Sequence, residues 1–132
     1  MYLLEHPEKV AEDGFLAMAA GIWFYMTPQD PKPSMHDVMT GFFVPNAKDK
    51  AANFGATFGT TINIINGGYE CGNGSSKSVS RGQYYTKWLE FFGMPAEPSG
   101  IGCANQRSSF PVGGTGDTPG YWTKVWDGTA KC

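Results

Sequence analysis

Residues 61–72 read TINIINGGYECG, and the fold of the chain depends on how this stretch is interpreted. Its β-branched residues favour a strand locally. On a strand, neighbouring side chains alternate between faces, which would separate Asn63 from Asn66. On a helix, Asn63, Asn66 and Glu70 stand three and seven residues apart and form one polar stripe. The face pattern therefore predicts a helix over residues 56–69, with an apolar stripe beside the polar one formed by Phe58, Ile62, Ile65 and Tyr69.

The polar stripe has two interpretations. An amide pair and a carboxylate on a mostly apolar helix suit a site that holds a polar ligand. The alternative is structural, with helix capping and one buried asparagine whose hydrogen bonds are satisfied inside the protein. Gly67 and Gly68 would fray the helix end, or let another backbone or a ligand come close. Spacing alone leaves both interpretations open.

Length and composition restrict the class of protein. The chain has 132 residues, which corresponds to one domain or part of one. Apolar residues make up 41% and the net charge is −2, without any block of basic residues. We therefore expect a hydrophobic core and no nucleic acid partner. The longest apolar run, residues 15–26, is too short to cross a membrane, and no pattern typical of a signal peptide opens the chain.

Hydrophobic periodicity predicts further helices. Residues 7–13 form a predicted short helix, and residues 15–26 a longer one. The longer helix is apolar on both faces, which predicts that it is buried on all sides and needs more protein around it. A short helix is also predicted over residues 35–40, with Ser34 as its N-cap and Gly41 at its end.

A final helix is predicted from the stripe Tyr85, Trp88, Leu89 and Phe92. Ser78 or Ser80 would cap this helix, and Gly93 would end it. No helix is predicted beyond it, because residues 94–120 are rich in Gly, Pro and Ser. We divide the chain into a folded part, residues 1–110, and an irregular tail, residues 111–132, that carries the aromatic residues Tyr121, Trp122 and Trp126. These rings would stack on sugars or fold back on the body.

Few residues suit metal or nucleophilic chemistry. The two histidines are isolated and no Cys-x-x-Cys spacing occurs, so we predict no metal site and no cofactor. The Gly-x-Ser-x-Gly motif of serine hydrolases is absent. Glu70 follows an apolar run and is the acid that we expect to be functional. Three cysteines, an odd number, predict a missing piece, a free thiol or an intermolecular bond.

Several stretches, in order, resemble the glycoside hydrolase family 19 chitinases. They are IWFYMTPQ at 22–29, KPSMHDV at 32–38 and NIINGGYECG at 63–72. The match continues through Arg81, Tyr84, Tyr85, Cys103, Gln106, Arg107 and Phe110, and covers roughly residues 3–110. This resemblance implies a mainly α, lysozyme-like fold with a long cleft. It also implies hydrolysis of chitin, a β-1,4-linked N-acetylglucosamine polymer, with inversion at the anomeric carbon.

Inversion requires two carboxyl groups roughly 6.5–9.5 Å apart, one to protonate the leaving oxygen and one to activate a water. In the family, both glutamates lie in the amino-terminal half, the first within a His-Glu-Thr motif. This chain lacks that motif. The resemblance therefore implies the carboxyl-terminal part of a secreted chitinase, with the amino-terminal half as its partner. Two alternatives stay open, a module that binds chitin without hydrolysis and a structural fragment without activity.

The resemblance assigns supporting roles to residues of this chain. Asn66 resembles a cleft asparagine that contacts the substrate and helps to place the water. Lys32 resembles a substrate-contacting lysine, and we expect Asn63 to contact the substrate as well. Glu70 and Arg81 resemble a carboxylate–guanidinium pair that supports the general acid, and such an Arg would lower the pKa of the carboxyl group that it contacts.

The resemblance also implies a disulfide between Cys71 and Cys103, which match the family's paired cysteines. Cys132 would then be unpaired within this chain or bonded to a cysteine outside it. Two features depart from the family. The loop between Cys71 and Arg81 is about one residue short, and the tail extends beyond the usual family terminus.

Overall fold

The structure, a computed structural model, describes residues 3–97 and 99–111. Within these residues the chain forms six helices, α1 Lys9–Glu12, α2 Gly14–Met26, α3 Met35–Thr40, α4 Ala47–Ala51, α5 Phe58–Glu70 and α6 Ser76–Phe91. The isolated bridge between Gln29 and Lys32 is the only β pairing among the described residues. The predicted mainly α fold is confirmed. The aromatic residues of the tail and Cys132 lie outside the described residues.

Helix α5 is the centre of the fold, and the strand interpretation of its sequence is wrong. Its buried face joins two apolar clusters. Ile64 belongs to the larger cluster, together with Met35, Val38, Phe43, Phe54 and Phe110. Ile62 packs in the smaller one with Cys71, Cys103 and the half-buried Phe58. The predicted apolar stripe therefore holds only in its first half, because Ile65 and Tyr69 are 40% and 82% exposed.

Helix α2 has the all-round apolar character that the sequence predicted, but few of the described residues cover it. The helix forms as expected, but none of its residues is buried. Among the described helices only α1 and α3 pack against it, so much of its surface is not covered by another described helix. Its exposed apolar side chains, which we call the α2 surface, include Phe15, Met18, Ile22 and Trp23. No helix within residues 3–97 and 99–111 combines the length and apolar character needed to cross a bilayer.

Local signals placed most helix ends correctly. The Ser34 side chain accepts a hydrogen bond from Asp37 N at the start of α3, and Gly41 ends that helix with a φ of 79°. The predicted cap of α6 is wrong, because Ser75 holds this position and accepts a hydrogen bond from Lys77 N. Ser78 lies inside the helix and is buried, with its Oγ 3.4 Å from Cys103 Sγ.

A disulfide joins Cys71, directly after α5, to Cys103 in the segment that follows α6. The predicted pairing is confirmed. The bond closes a loop with a sequence separation of 32 residues, which contains the whole of α6. It therefore attaches the irregular segment beyond α6 to the carboxyl end of α5.

Candidate functional site

The candidate site is built around a kink in α5. The backbone departs from helical angles at Asn66, where φ is −152° and ψ is 39°, and the helix then continues to Glu70. Asn66 Nδ2 donates a hydrogen bond to Glu70 Oε1 at 3.1 Å. The structure thus brings together two members of the predicted polar stripe. Asn66 is partly exposed, whereas Glu70 is buried.

Glu70 is ion-paired with Arg81 in a two-point arrangement. Arg81 Nε donates to Glu70 Oε2 at 2.8 Å, and Arg81 Nη2 donates to Glu70 Oε1 at 3.1 Å. The Glu70 side chain is 1% exposed and that of Arg81 is 41% exposed. A buried carboxylate requires such a partner, since an unpaired one would lose its hydration without compensation. The shorter loop before Arg81 does not prevent the pairing.

The charge state of Glu70 follows from these contacts. The hydrogen bond from Arg81 has the largest effect and lowers the pKa of Glu70. Burial raises this pKa, but the hydrogen bond from Asn66 lowers it further, and the net shift is downward. The pKa of Arg81 is raised in turn by its hydrogen bond to Glu70. Glu70 is therefore ionised at neutral pH and has no proton to donate. This arrangement suits a group that orients its neighbours rather than a general acid.

Lys32 lies beside the same helix. Its backbone is held by a two-residue turn in which Gln29 N donates to Lys32 O at 3.0 Å and Lys32 N donates to Gln29 O at 2.6 Å. The Lys32 side chain donates from Nζ to Ile64 O at 2.9 Å, two residues before the kink. The Lys32 side chain thus contacts α5 two residues before Asn66.

Asn63 is placed differently from Asn66. Its residue exposure is 1%, and Nδ2 donates to Arg107 O at 2.8 Å. The same nitrogen lies 3.4 Å from Gln106 Oε1. Asn63 is therefore buried among residues of this chain, while Asn66 and Glu70 form the candidate site. The structural interpretation of the stripe holds only for Asn63 Nδ2, because Asn63 Oδ1 has no hydrogen-bond partner among the described residues. Helical spacing missed the difference between the two asparagines because the residues that cover Asn63 are 43 and 44 positions away in the sequence.

One further residue of this region, Gln106, was not identified as a site residue from the sequence. Gln106 is 4% exposed and donates from Nε2 to Thr60 Oγ1 at 3.3 Å. Gln106 is preceded by a stretch rich in Gly, Pro and Ser, where a buried side chain is not expected. Its one signal was membership in the family-like run that begins at Cys103. Within the described residues, no group of three or more His, Cys, Asp or Glu side chains is arranged to hold a metal ion.

Comparison with known proteins identifies the family. The family model described as chitinase class I, which represents glycoside hydrolase family 19, matches residues 1–101, and the chain belongs to this family. The resemblance inferred from the sequence is thereby confirmed, and the observed helical fold agrees with the lysozyme-like fold that it implies.

Several curated plant proteins are similar to this chain. Endochitinase 2 of Solanum tuberosum is 46% identical over 107 residues, which cover 80% of this chain and 34% of that protein. The Basic 30 kDa endochitinase of Solanum lycopersicum is 47% identical over 108 residues, covering 80% and 33%. Endochitinase A2 of Pisum sativum is 42% identical over 114 residues, covering 83% and 35%. The chain spans about a third of the length of these relatives.

Proposed function

We propose that this chain forms one wall of the substrate cleft of an endo-acting chitinase that hydrolyses β-1,4-linked N-acetylglucosamine polymers with inversion. Family membership supports the reaction class. The observation that carries the proposal is the arrangement at the α5 kink. There, one buried carboxylate, Glu70, accepts hydrogen bonds from both Arg81 and Asn66, which leaves Asn66 oriented at a partly exposed position.

Each polar residue receives a role from its contacts. Asn66 contacts the substrate and helps to hold the attacking water, because its amide has one oriented donor and a carbonyl acceptor. Lys32 donates a hydrogen bond to the sugar from an ammonium group that is already directed at α5. Glu70 and Arg81 support the general acid and keep Asn66 in place. Asn63, expected from the sequence to contact the substrate, supports the wall from behind, since it is buried.

The two catalytic glutamates are proposed to come from the amino-terminal half of the domain. Inversion needs an acid and a base separated by roughly 6.5–9.5 Å. Glu70 supplies neither, because it is ionised, buried and bonded to Arg81. The α2 surface is the proposed contact for this amino-terminal half, since an apolar area of this kind needs a covering partner.

We also propose that the protein is secreted and acts in the breakdown of cell-wall chitin. The disulfide between Cys71 and Cys103 supports this location, because such bonds persist in oxidising compartments. A role in binding chitooligosaccharides without hydrolysis is the second candidate. It is favoured by the ion pairing of Glu70, which removes that carboxylate from acid or base chemistry.

The proposal is tested with a chitooligosaccharide hydrolysis assay on the chain purified to a single mass. We expect no turnover by the chain alone and restored turnover when a polypeptide carrying the His-Glu-Thr half is added. In that complex, Asn66→Ala should lower the rate by about 100-fold, because misplacing a positioned reactant has effects of this size. The matched control is Asn73→Ala, an exposed asparagine that bonds to Tyr69 O and should leave the rate unchanged.

Two results would contradict the proposed division of roles. Sustained turnover by the chain alone, abolished by Glu70→Gln, would make Glu70 itself catalytic. Oligosaccharide binding by the complex without any turnover would support the binding role instead.

A further inference from the structure

Residues 103–108, which we call the strap, cross α5 on its buried side. The strap is bonded to the part of α5 before the kink. Asn63 donates to Arg107 O at 2.8 Å, and Gln106 Nε2 donates to Thr60 Oγ1 at 3.3 Å. Asn63, Thr60 and Gln106 are each less than 5% exposed, at 1%, 0% and 4%. These hydrogen bonds are therefore shielded from competition with water, and losing one would leave buried polar groups unpaired.

The strap is also attached to α5 after the kink. The disulfide joins Cys103, the first residue of the strap, to Cys71. Near its other end the strap contacts the backbone of Gly67, because a Cβ built at Gly67 would lie 2.7 Å from Ser108 O. One covalent bond and one close backbone contact thus hold the second part of the helix.

The geometry of the candidate site depends on the angle between these two parts. Lys32 is bonded to Ile64 O before the kink, Asn66 lies at the kink, and Glu70 lies after it. A helix interrupted at one residue bends there unless other contacts restrain it. Because the strap holds both parts, it restrains the bend and so the direction of the Asn66 side chain toward Glu70.

We propose that Asn63 and Gln106 are positioning residues of the site, which hold the α5 kink through the strap and thereby direct Asn66 to Glu70. The geometric role stands on the hydrogen bonds of this chain, while its consequence for catalysis rests on the proposed function. Functional groups are held by the buried hydrogen bonds of a supporting layer, whose loss displaces the groups in front of it. Asn63→Ala should therefore change the environment of Asn66 and Glu70, although the hydrogen bonds that it removes are to Arg107 and Gln106.

The test compares two asparagines that bond to the same strap. Asn63→Ala removes the hydrogen bond from Asn63 Nδ2 on α5 to Arg107 O of the strap. Asn53→Gly removes the hydrogen bond from Asn53 Nδ2, which lies outside α5, to Asn105 O of the strap at 2.9 Å. Glycine is chosen at position 53 because φ there is 62°, which glycine tolerates. The measurements are the NMR signals of the Asn66 side-chain amide and an NMR pH titration of the Glu70 carboxyl group, both on the free protein.

Asn63→Ala should move the Asn66 amide signals and raise the pKa of Glu70 most of the way to its value in Asn66→Ala. Asn53→Gly should leave both at their wild-type values. Arg81 and Lys77, the cations that lower the pKa of Glu70, are unchanged in all three variants. A loss of packing alone would not produce this difference between the two asparagine variants.

A folded Asn63→Ala variant with wild-type Asn66 signals and Glu70 titration would overturn the proposal, as would equal shifts in Asn53→Gly. If Asn63→Ala does not fold, Gln106→Met decides by the same criteria, since it keeps the side-chain volume and removes the hydrogen bonds to Thr60 and Asn63. Chitotetraose is then added to the wild-type complex with the amino-terminal half. Absence of binding there would contradict the proposed function and leave the result on the strap intact.

Discussion

At the scale of single residues, two adjacent glycines of α5 have opposite surroundings. A Cβ at Gly67 would lie 2.3 Å from Asn63 Oδ1 and 2.7 Å from Ser108 O, while a Cβ at Gly68 would meet nothing within 4 Å. From the sequence, the two glycines would fray the helix end or let another backbone or a ligand come close. The structure places another backbone close to Gly67, and this backbone is the strap.

The glycine pair provides a direct stability test. Gly67→Ala should lower the free energy of unfolding by about 1–3 kcal/mol, because the methyl group would clash with the Asn63 side chain and with Ser108 O of the strap. Gly68→Ala should be neutral or raise it by up to about 1 kcal/mol, since alanine favours the helix. Urea unfolding followed by circular dichroism measures both. Equal effects of the two substitutions would mean that the strap does not press against α5.

The Glu70–Arg81 pair makes stability depend on pH. The pKa of Glu70 is lowered in the folded protein, so near the ordinary Glu value of about 4.3 the unfolded state binds more protons than the folded one. The contribution of the pair is thus present above that pH and is lost as the pH falls toward the lowered pKa. We expect this loss to be smaller in Arg81→Met, measured by urea unfolding between pH 7 and pH 3.

At neutral pH, Arg81→Met should also lower the free energy of unfolding by about 1–3 kcal/mol, because it leaves the buried carboxylate with a single hydrogen bond from Asn66. Lys87→Met is the matched control on α6. Lys87 lies over the ring of Tyr84, away from Glu70, and its loss should change stability by less than about 0.5 kcal/mol. An unchanged pH profile in Arg81→Met would show that the pair does not determine acid stability.

At the scale of elements, the disulfide is the strongest local restraint on α5 and the strap. Replacing both Cys71 and Cys103 by alanine should lower the free energy of unfolding by about 3–4 kcal/mol in the chain-entropy model. The control is Cys132→Ala, which keeps the bond between Cys71 and Cys103. Thermal and urea unfolding of the three proteins measures the effect. If Cys132→Ala is as destabilising as the double variant, the stabilisation comes from another cysteine linkage.

Helix boundaries illustrate how far local signals extend. The N-cap Ser34 and the glycine at position 41 were predictable because capping depends on residues within one turn. The cap of α6 was misplaced by three to five residues because several serines lie at or just after the start of that helix, and each is chemically suited to the role. Ser78, one of the two predicted caps, instead lies inside α6 with its Oγ 3.4 Å from Cys103 Sγ.

At the scale of the whole molecule, the α2 surface dominates the properties of the isolated chain. Large exposed apolar areas bind hydrophobic dyes and promote association. We expect the chain to bind anilinonaphthalene sulfonate and to associate with increasing concentration, and Ile22→Glu should reduce both. Dye fluorescence and sedimentation measure these effects. The substitution should change the free energy of unfolding by less than about 0.5 kcal/mol, since Ile22 is 56% exposed.

The matched control for this substitution is Val79→Glu. Val79 is 53% exposed on α6, so the Val79→Glu variant loses a similarly exposed apolar side chain on a different helix. We expect it to retain the dye binding and association of the wild type. An equal reduction by both variants would indicate a general effect of added negative charge rather than an interaction at the α2 surface.

The sequence by itself determined the helices and, through the family resemblance, the disulfide, because periodicity, capping and motif spacing are properties of short stretches. Only the tertiary structure decided the place of the α5 kink, the burial of Asn63 and which helices pack against α2. Asn63 is held by Arg107, 44 residues away, and no local pattern predicts such a contact. The exposure of α2 likewise depends on which helices pack against it. Local patterns identify side chains that need a partner, and the partner itself is set by long-range packing.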